Sequence, residues 1–152
     1  MSTITLESIE AKQTELQQLI TKFKADQPRT LPVPAAAIQL ANGEHYAGLV
    51  LDADGNPSHH VILLPGDEGD LTFDQAKEWA AKQGGELPSR QEQSLLFANL
   101  KGKFEGTWYW SGQQHETESG WACSQGFSSG TQGDYYESYE FRARAVRRLV
   151  IE

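Results

Sequence analysis

The chain has 152 residues and a formal net charge of -8, which suits one ordinary domain with a short appendage and is too short for two. The excess of acid disfavours general binding to nucleic acids or anionic membranes, because a phosphate-rich surface would repel most of the chain. A single cysteine, Cys123, excludes an internal disulfide and a zinc site built on cysteines.

The first segment, residues 1–27, predicts an amphipathic helix with a coiled-coil seam, capped by Thr5. It lacks the basic and apolar regions of a signal peptide, and no apolar run long enough to span a membrane follows, so we expect synthesis in the cytoplasm. Six seam positions alternate at spacings of about three and four: Leu6, Ile9, Gln13, Leu16, Ile20 and Phe23. This rhythm favours a homo-oligomer, a dimer or trimer, in which Gln13 sets the register. A helix packed on its own domain is the alternative.

Prolines in residues 28–37 predict a semi-rigid linker, and a globular domain is predicted over residues 38–152. The domain begins with two apolar runs, residues 46–51 and 60–64, on either side of Asp-Ala-Asp-Gly-Asn-Pro, a pattern typical of a β-hairpin. The turn resembles the start of a calcium-binding loop. Its glycine is misplaced and Leu63 stands where the bidentate glutamate belongs, so we expect no calcium there.

Two short helices are predicted next, and each begins with a capping box. Thr72 and Gln75 have the required spacing in the first, which ends at the glycine pair 84–85. Ser89 and Glu92 have the same spacing in the second. The hairpin is thus followed by two consecutive helices.

The remaining chain alternates apolar runs with Gly, Ser and Gln turns, which is typical of short strands. In the first strand Trp108 and Trp110 share one face and Tyr109 lies on the other. With Trp121, these tryptophans are expected in the core. The last strand is predicted over residues 141–150. The order of hairpin, helices and strands favours an α+β fold over alternating βαβ units.

The segments "TFDQAKEWAAKQGGELPSRQEQSLLFANL", "TWYWSGQ" and "RARAVRRL" resemble the C-type-lectin-like superfamily. The likeness is closest to bacterial and phage domains related to the C-terminal domain of collagen-like adhesins, and more distant to formylglycine-generating enzymes. It covers roughly residues 44–150. It implies a C-type-lectin-like fold, with two short helices packed on a small antiparallel sheet and long loops forming the binding face. It also implies a phage or prophage protein, either a virion accessory or a receptor-binding module.

An enzymatic function is not expected. The formylglycine-generating relatives hold copper with two cysteines, whereas this chain has only Cys123. That cysteine is interpreted as a buried, inert thiol, and a degenerate relative with residual chemistry at the thiol is the alternative. The neighbours His59 and His60 would point to opposite faces of a strand, which disfavours a metal site. We expect no cofactor and no metal.

The C-terminal loops combine aromatic, small and polar residues, a composition similar to that of antibody binding loops. They are predicted to bind a protein or glycan, without calcium because the motifs of calcium-dependent lectins are absent. An intracellular phage effector that binds a host protein is the alternative. The predicted contact residues are Tyr109, Gln125, Phe127, Ser128, Gln132, Asp134, Tyr135, Tyr136 and Tyr139. The terminal arginines are expected to pair with acids or carbonyls rather than nucleic acid.

Overall fold

A computed structural model describes residues 3–151 and divides the chain into two compact units, Met1–Pro34 and Ala35–Glu152. The first unit contains one helix, α1, over Leu6–Ala25. The predicted cap is confirmed, since the Thr5 hydroxyl accepts the Ser8 amide at 3.2 Å. Every described side chain of this helix is exposed. Among the helices within residues 3–151, none is long and apolar enough to cross a membrane.

The second unit is an α+β domain, as predicted. Its elements are β1 (His45–Leu51), β2 (Pro57–Leu63), β3 (Glu68–Leu71), α2 (Phe73–Lys82), α3 (Arg90–Leu100), a 3₁₀ turn (Lys101–Lys103), β4 (Trp108–Gln114), β5 (Trp121–Gly126), β6 (Gln132–Tyr136), β7 (Phe141–Ala143) and β8 (Val146–Val150). One sheet has the order β1-β2-β8 and the other β3-β7-β4-β5-β6. The expectation of one antiparallel sheet is therefore wrong: there are two, and β4 pairs with β7 in parallel.

The predicted hairpin is confirmed as β1 and β2, which pair in antiparallel register. In its turn the Asp52 carboxylate accepts the amides of Asp54 at 2.9 Å and Asn56 at 3.0 Å. These bonds are those of an Asx-type turn, in which a short acidic side chain substitutes for a backbone carbonyl. The acidic loop is thus explained by turn geometry.

Both capping boxes are confirmed. At the start of α2 the Thr72 hydroxyl accepts the backbone amide of Gln75 at 3.4 Å. The side-chain oxygen of Gln75 accepts the backbone amide of Thr72 at 3.0 Å. At the start of α3 the Ser89 hydroxyl accepts the backbone amide of Glu92 at 3.1 Å, and the Glu92 carboxylate accepts the backbone amide of Ser89 at 2.8 Å. Each box satisfies amides that have no partner inside the helix.

The predicted last strand over residues 141–150 is wrong, because the chain changes sheets in its middle. β7 belongs to the larger sheet and β8 to the smaller. At the crossing the Arg144 guanidinium donates to the carbonyls of Lys103 at 2.6 Å and Leu64 at 2.8 Å. A buried guanidinium bonded to carbonyls holds the chain where the ladder is interrupted.

The pairing predicted for the terminal arginines is confirmed. Arg142 donates to Asp67 at 2.8 Å, and Arg148 donates to Glu92 through two nitrogens at 2.7 Å. Arg147 bonds the carboxylate of Glu44 at 2.8 Å. These ion pairs engage side chains that would otherwise form a basic surface.

The core lies on both sides of the larger sheet. Trp110 belongs to the cluster with the buried residues of α2, and Tyr109 to the cluster with Leu96 of α3. The predicted alternation of Trp110 and Tyr109 is confirmed. Both faces of the sheet are thus covered by a helix over part of their area.

Candidate binding surface

The hairpin of β5 and β6 forms the free end of the larger sheet, with β6 as its edge. Its register places Trp121 opposite Tyr136 and Cys123 opposite Asp134. Because successive side chains alternate between faces, these four lie on one face and Tyr135 lies on the other. The two pairs lie on the same face of the sheet as the residues that α3 covers. They lie further along the strands, where α3 no longer covers that face.

Four rings form a surface at this end of the sheet, which we call the aromatic surface: Trp121, Tyr135, Tyr136 and Tyr139. The rings of Trp121 and Tyr136 are 4.2 Å apart. Tyr139 contacts Tyr136 at 5.7 Å and Tyr135 at 6.0 Å, so it bridges the two faces. Tyr136 and Tyr139 are 49% and 46% exposed. Large rings at this exposure provide apolar contact area with a hydroxyl at its rim.

A polar cleft of about 200 Å³ lies beside the aromatic surface, and its lining includes Cys123 and Asp134. His115 also lines it. The imidazole Nδ1 accepts the amides of Thr117 at 3.1 Å and Glu118 at 3.0 Å, which places the proton of the neutral ring on Nε2. That nitrogen faces the Asp134 carboxylate at 3.8 Å.

The thiol of Cys123 is buried and donates to Asp134 at 2.9 Å. Burial, together with this bond, raises the pKa of Cys123 to about 11, so the thiol stays protonated at neutral pH. A nucleophilic cysteine needs a base in contact with its sulfur. Here the carboxylate stands between the thiol and the imidazole of His115, an order that does not generate a thiolate.

Three predicted contact residues are not available to a ligand, because Tyr109, Gln125 and Phe127 are buried. The Tyr109 hydroxyl donates to Asp67 at 2.6 Å, and the Gln125 amide donates to the Gln93 carbonyl at 3.0 Å. Phe127 packs in the core beside α3. Tyr109 was predicted on a strand and the other two in loops, and all three lie on the side of the larger sheet that α3 covers.

Two further predicted residues lie apart from the aromatic surface. Ser128 is exposed in the turn between β5 and β6, at the opposite end of β6 from Tyr136. The Gln132 amide donates to the Arg90 carbonyl at 2.7 Å, which holds β6 against α3. The structure therefore brings together four of the predicted residues: Asp134, Tyr135, Tyr136 and Tyr139.

Sequence reasoning missed two components of the surface, Trp121 and His115. Trp121 was expected in the core and is half-buried, whereas Trp110 is fully buried. Locating the turn between β5 and β6 would have paired Trp121 with Tyr136, since register follows from the turn. His115 carried no signal, because its position depends on how the loop folds back over β6.

Metal ligation has no support in the described part of the chain. Among residues 3–151, no group of three His, Cys, Asp or Glu side chains is placed to hold a metal ion. His59 Nε2 donates to the Glu92 carboxylate at 2.8 Å, and His60 pairs with the Tyr46 hydroxyl at 2.8 Å. The adjacent histidines thus have separate partners, as their predicted orientation requires.

The second unit is an α+β domain that presents an aromatic surface at the edge of a mixed sheet. The first unit is a helix with an exposed apolar seam. The chain matches no protein-family model, and no curated protein matches it. Its function is therefore argued from the residues themselves.

Proposed function

We propose that the chain is a non-enzymatic binding module of C-type-lectin-like architecture, which recognises its ligand through the aromatic surface. The exposure of Tyr136 and Tyr139 beside the half-buried Trp121 carries this proposal. The resemblance favours a phage- or prophage-encoded module on a virion or in receptor binding. An intracellular effector would use the same surface against a host protein.

The rings are suited to binding because they are held rigid before a ligand arrives. Tyr136 lies on β6 against Trp121, and Tyr135 packs edge-on against Phe141 at 5.2 Å. Such aromatic side chains lose little conformational entropy when a ligand covers them. Contiguous exposed rings are also a feature of interaction surfaces rather than of ordinary protein surfaces.

The chemistry of the adjoining cleft supports binding over catalysis. The protonated thiol of Cys123 donates to Asp134, and no imidazole contacts its sulfur. Both groups retain the capacity to form hydrogen bonds at the edge of a ligand. The cleft thus adds polar contacts to the apolar contact area of the rings.

We further propose that α1 assembles copies of the chain. A single helix of 20 residues is marginal in water unless its apolar face is covered. The seam presents Leu6, Leu16 and Phe23 to solvent, and a second copy offers the same seam in register. Joining several aromatic surfaces would strengthen binding without any new type of contact.

Charges in the seam test this assembly. We expect Leu16→Glu/Ile20→Glu to reduce the full chain to a monomer, because two carboxylates would be buried without partners at the interface. Gln18→Glu, which adds a charge outside the seam, should leave the mass unchanged. Light scattering after size-exclusion chromatography measures both. A wild-type monomer at high micromolar concentration would contradict the proposal.

Removal of two hydroxyphenyl rings tests the binding surface. Against a displayed random-peptide library and an array of glycans, we expect the ligands selected by the wild-type chain to bind Tyr136→Ala/Tyr139→Ala at least about tenfold more weakly. Tyr46→Ala removes a comparably exposed ring, 41% exposed, from the smaller sheet and should preserve binding. Thermal unfolding of each variant checks the fold. Equal affinity for the wild type and the double variant would contradict the proposal.

A further inference from the structure

The aromatic surface lies in an acidic stretch of the chain. Residues 104–141 contain six carboxylates and neither lysine nor arginine, so this stretch contributes -6 to the net charge of -8. The carboxylates are Glu105, Glu116, Glu118, Asp134, Glu137 and Glu140. Three of the four rings of the aromatic surface belong to β6 and the segment after it, within the same stretch. Carboxylates are therefore the only side chains of fixed charge in the sequence around the rings.

Several of these carboxylates lie beside the rings. Glu116 and Glu118 line a hollow of about 300 Å³ together with Trp121. The Gln114 amide donates to Glu137 at 2.8 Å and so fixes the carboxylate that follows Tyr136. Apolar rings and acceptors for a positive charge thus occupy one continuous surface.

The arginines that follow this stretch in the sequence pair with carboxylates outside the aromatic surface. Arg142 pairs with Asp67 and Glu105. Arg147 pairs with Glu44, which precedes β1, and Arg148 pairs with Glu86 and with Glu92 of α3. Arg90 lines the cleft, where its guanidinium donates to Gln132 at 3.3 Å. No ion pair within residues 3–151 joins a lysine or arginine to Glu116, Glu118 or Glu140.

We propose that the aromatic surface binds a cationic polypeptide segment through arginine or lysine side chains, an inference that rests on the proposed binding function. A guanidinium stacks on the faces of tyrosine and tryptophan rings and bonds carboxylates at the same time. An anionic ligand would be repelled here. A neutral glycan would gain hydrogen bonds from the carboxylates but no attraction between opposite charges.

A pair of synthetic peptides tests the charge requirement directly. The probe alternates arginine and glycine with both ends blocked, and its control replaces each arginine by citrulline, which keeps the shape and removes the charge. Titrated into the full chain and followed by calorimetry, the arginine peptide should bind at least about tenfold more tightly than the citrulline peptide. Its affinity should also fall as salt increases, because the charges are exposed.

Paired charge variants locate the interaction. Glu118→Gln/Glu140→Gln should weaken binding of the arginine peptide about fivefold, since two exposed attractions are lost. Glu68→Gln/Glu78→Gln removes the same charge from β3 and α2 and should change affinity by less than about twofold. The tyrosine double variant should lose the peptide as well. All variants keep the full chain.

Each outcome has a distinct meaning. Equal affinity for the arginine and citrulline peptides, or equal effects of the two pairs of glutamate variants, would overturn the cationic ligand class. A neutral peptide or a glycan selected through Tyr136 and Tyr139 would overturn that class as well, while leaving the binding function intact. If no ligand from the library or the array depends on those tyrosines, both proposals fail.

Discussion

Replacing Glu92 by alanine should lower the free energy of unfolding by about 3 kcal/mol. The carboxylate is only 1% exposed and accepts two bonds from Arg148 at 2.7 Å. It also bonds the Ser89 amide and His59, each at 2.8 Å. One side chain therefore joins the start of α3 to β2 and β8, and its loss leaves a partly buried guanidinium without its main partner.

Glu86→Ala is the matched control, because Glu86 bonds the same Arg148 from a carboxylate that is 75% exposed. Its loss should cost less than about 1 kcal/mol. Denaturation by urea measures both variants. Equal losses would show that burial of Glu92 contributes nothing beyond an exposed ion pair.

Glu92→Gln tests the contribution of this carboxylate in acid. Burial alone would raise the pKa of Glu92, but the bonds from Arg148, the Ser89 amide and His59 lower it from 4.5 to about 2. A carboxylate whose pKa is lowered on folding stabilises the folded state at any pH above its pKa in the unfolded chain. This contribution is lost as the pH falls through the folded-state pKa. The advantage of the wild type over Glu92→Gln should therefore shrink between about pH 5 and about pH 2.

Gly85→Ala should also be strongly destabilising, by about 3 kcal/mol. A Cβ atom there would lie 2.4 Å from the Val146 carbonyl oxygen and 2.6 Å from a methyl of Leu64. That carbonyl accepts the Glu86 amide at 3.0 Å, a bond that ties the connection between the helices to β8. The backbone would have to move, and the bond would lengthen.

The adjacent glycine provides the comparison. Gly84 has a φ of +86°, and a Cβ atom there would have no neighbour within 4 Å. Gly84→Ala should therefore lower the free energy of unfolding only by the strain of a left-handed backbone, about 1 kcal/mol. Thermal unfolding of both variants ranks the two glycines. A larger loss at Gly84 would show that backbone strain, rather than the contact with β8, determines the requirement for glycine.

Features of the fold that depend on neighbouring residues could be predicted from the sequence. The capping boxes at Thr72 and Ser89 need only residues three positions apart, and the turn at Asp52 needs only its own side chain. The split between β7 and β8 could not be predicted. Alternation along a strand determines which face a side chain occupies but not which sheet the strand joins. The carbonyls that accept from Arg144 are also far from it in the sequence.

The candidate binding surface was predictable only in part, for the same reason. Composition identified Tyr136 and Tyr139, because polar, glycine-rich surroundings favour exposure of the rings. Composition also suggested Gln125 and Phe127, which α3 covers. Distinguishing these pairs requires knowing how far a helix extends over the sheet. That distance follows from the packing of segments far apart in sequence.

The change of sheets at Arg144 has a consequence for biosynthesis. β7 and β8 come from the last stretch of the domain, yet β7 joins β3 to β4 in the larger sheet and β8 joins β2 in the smaller. The larger sheet therefore stays incomplete until β7 has been synthesised, and the smaller sheet until β8 has been synthesised. The seam of α1 is synthesised much earlier, so the proposed assembly through α1 would allow neighbouring nascent chains on one messenger to associate before any of them has completed a sheet.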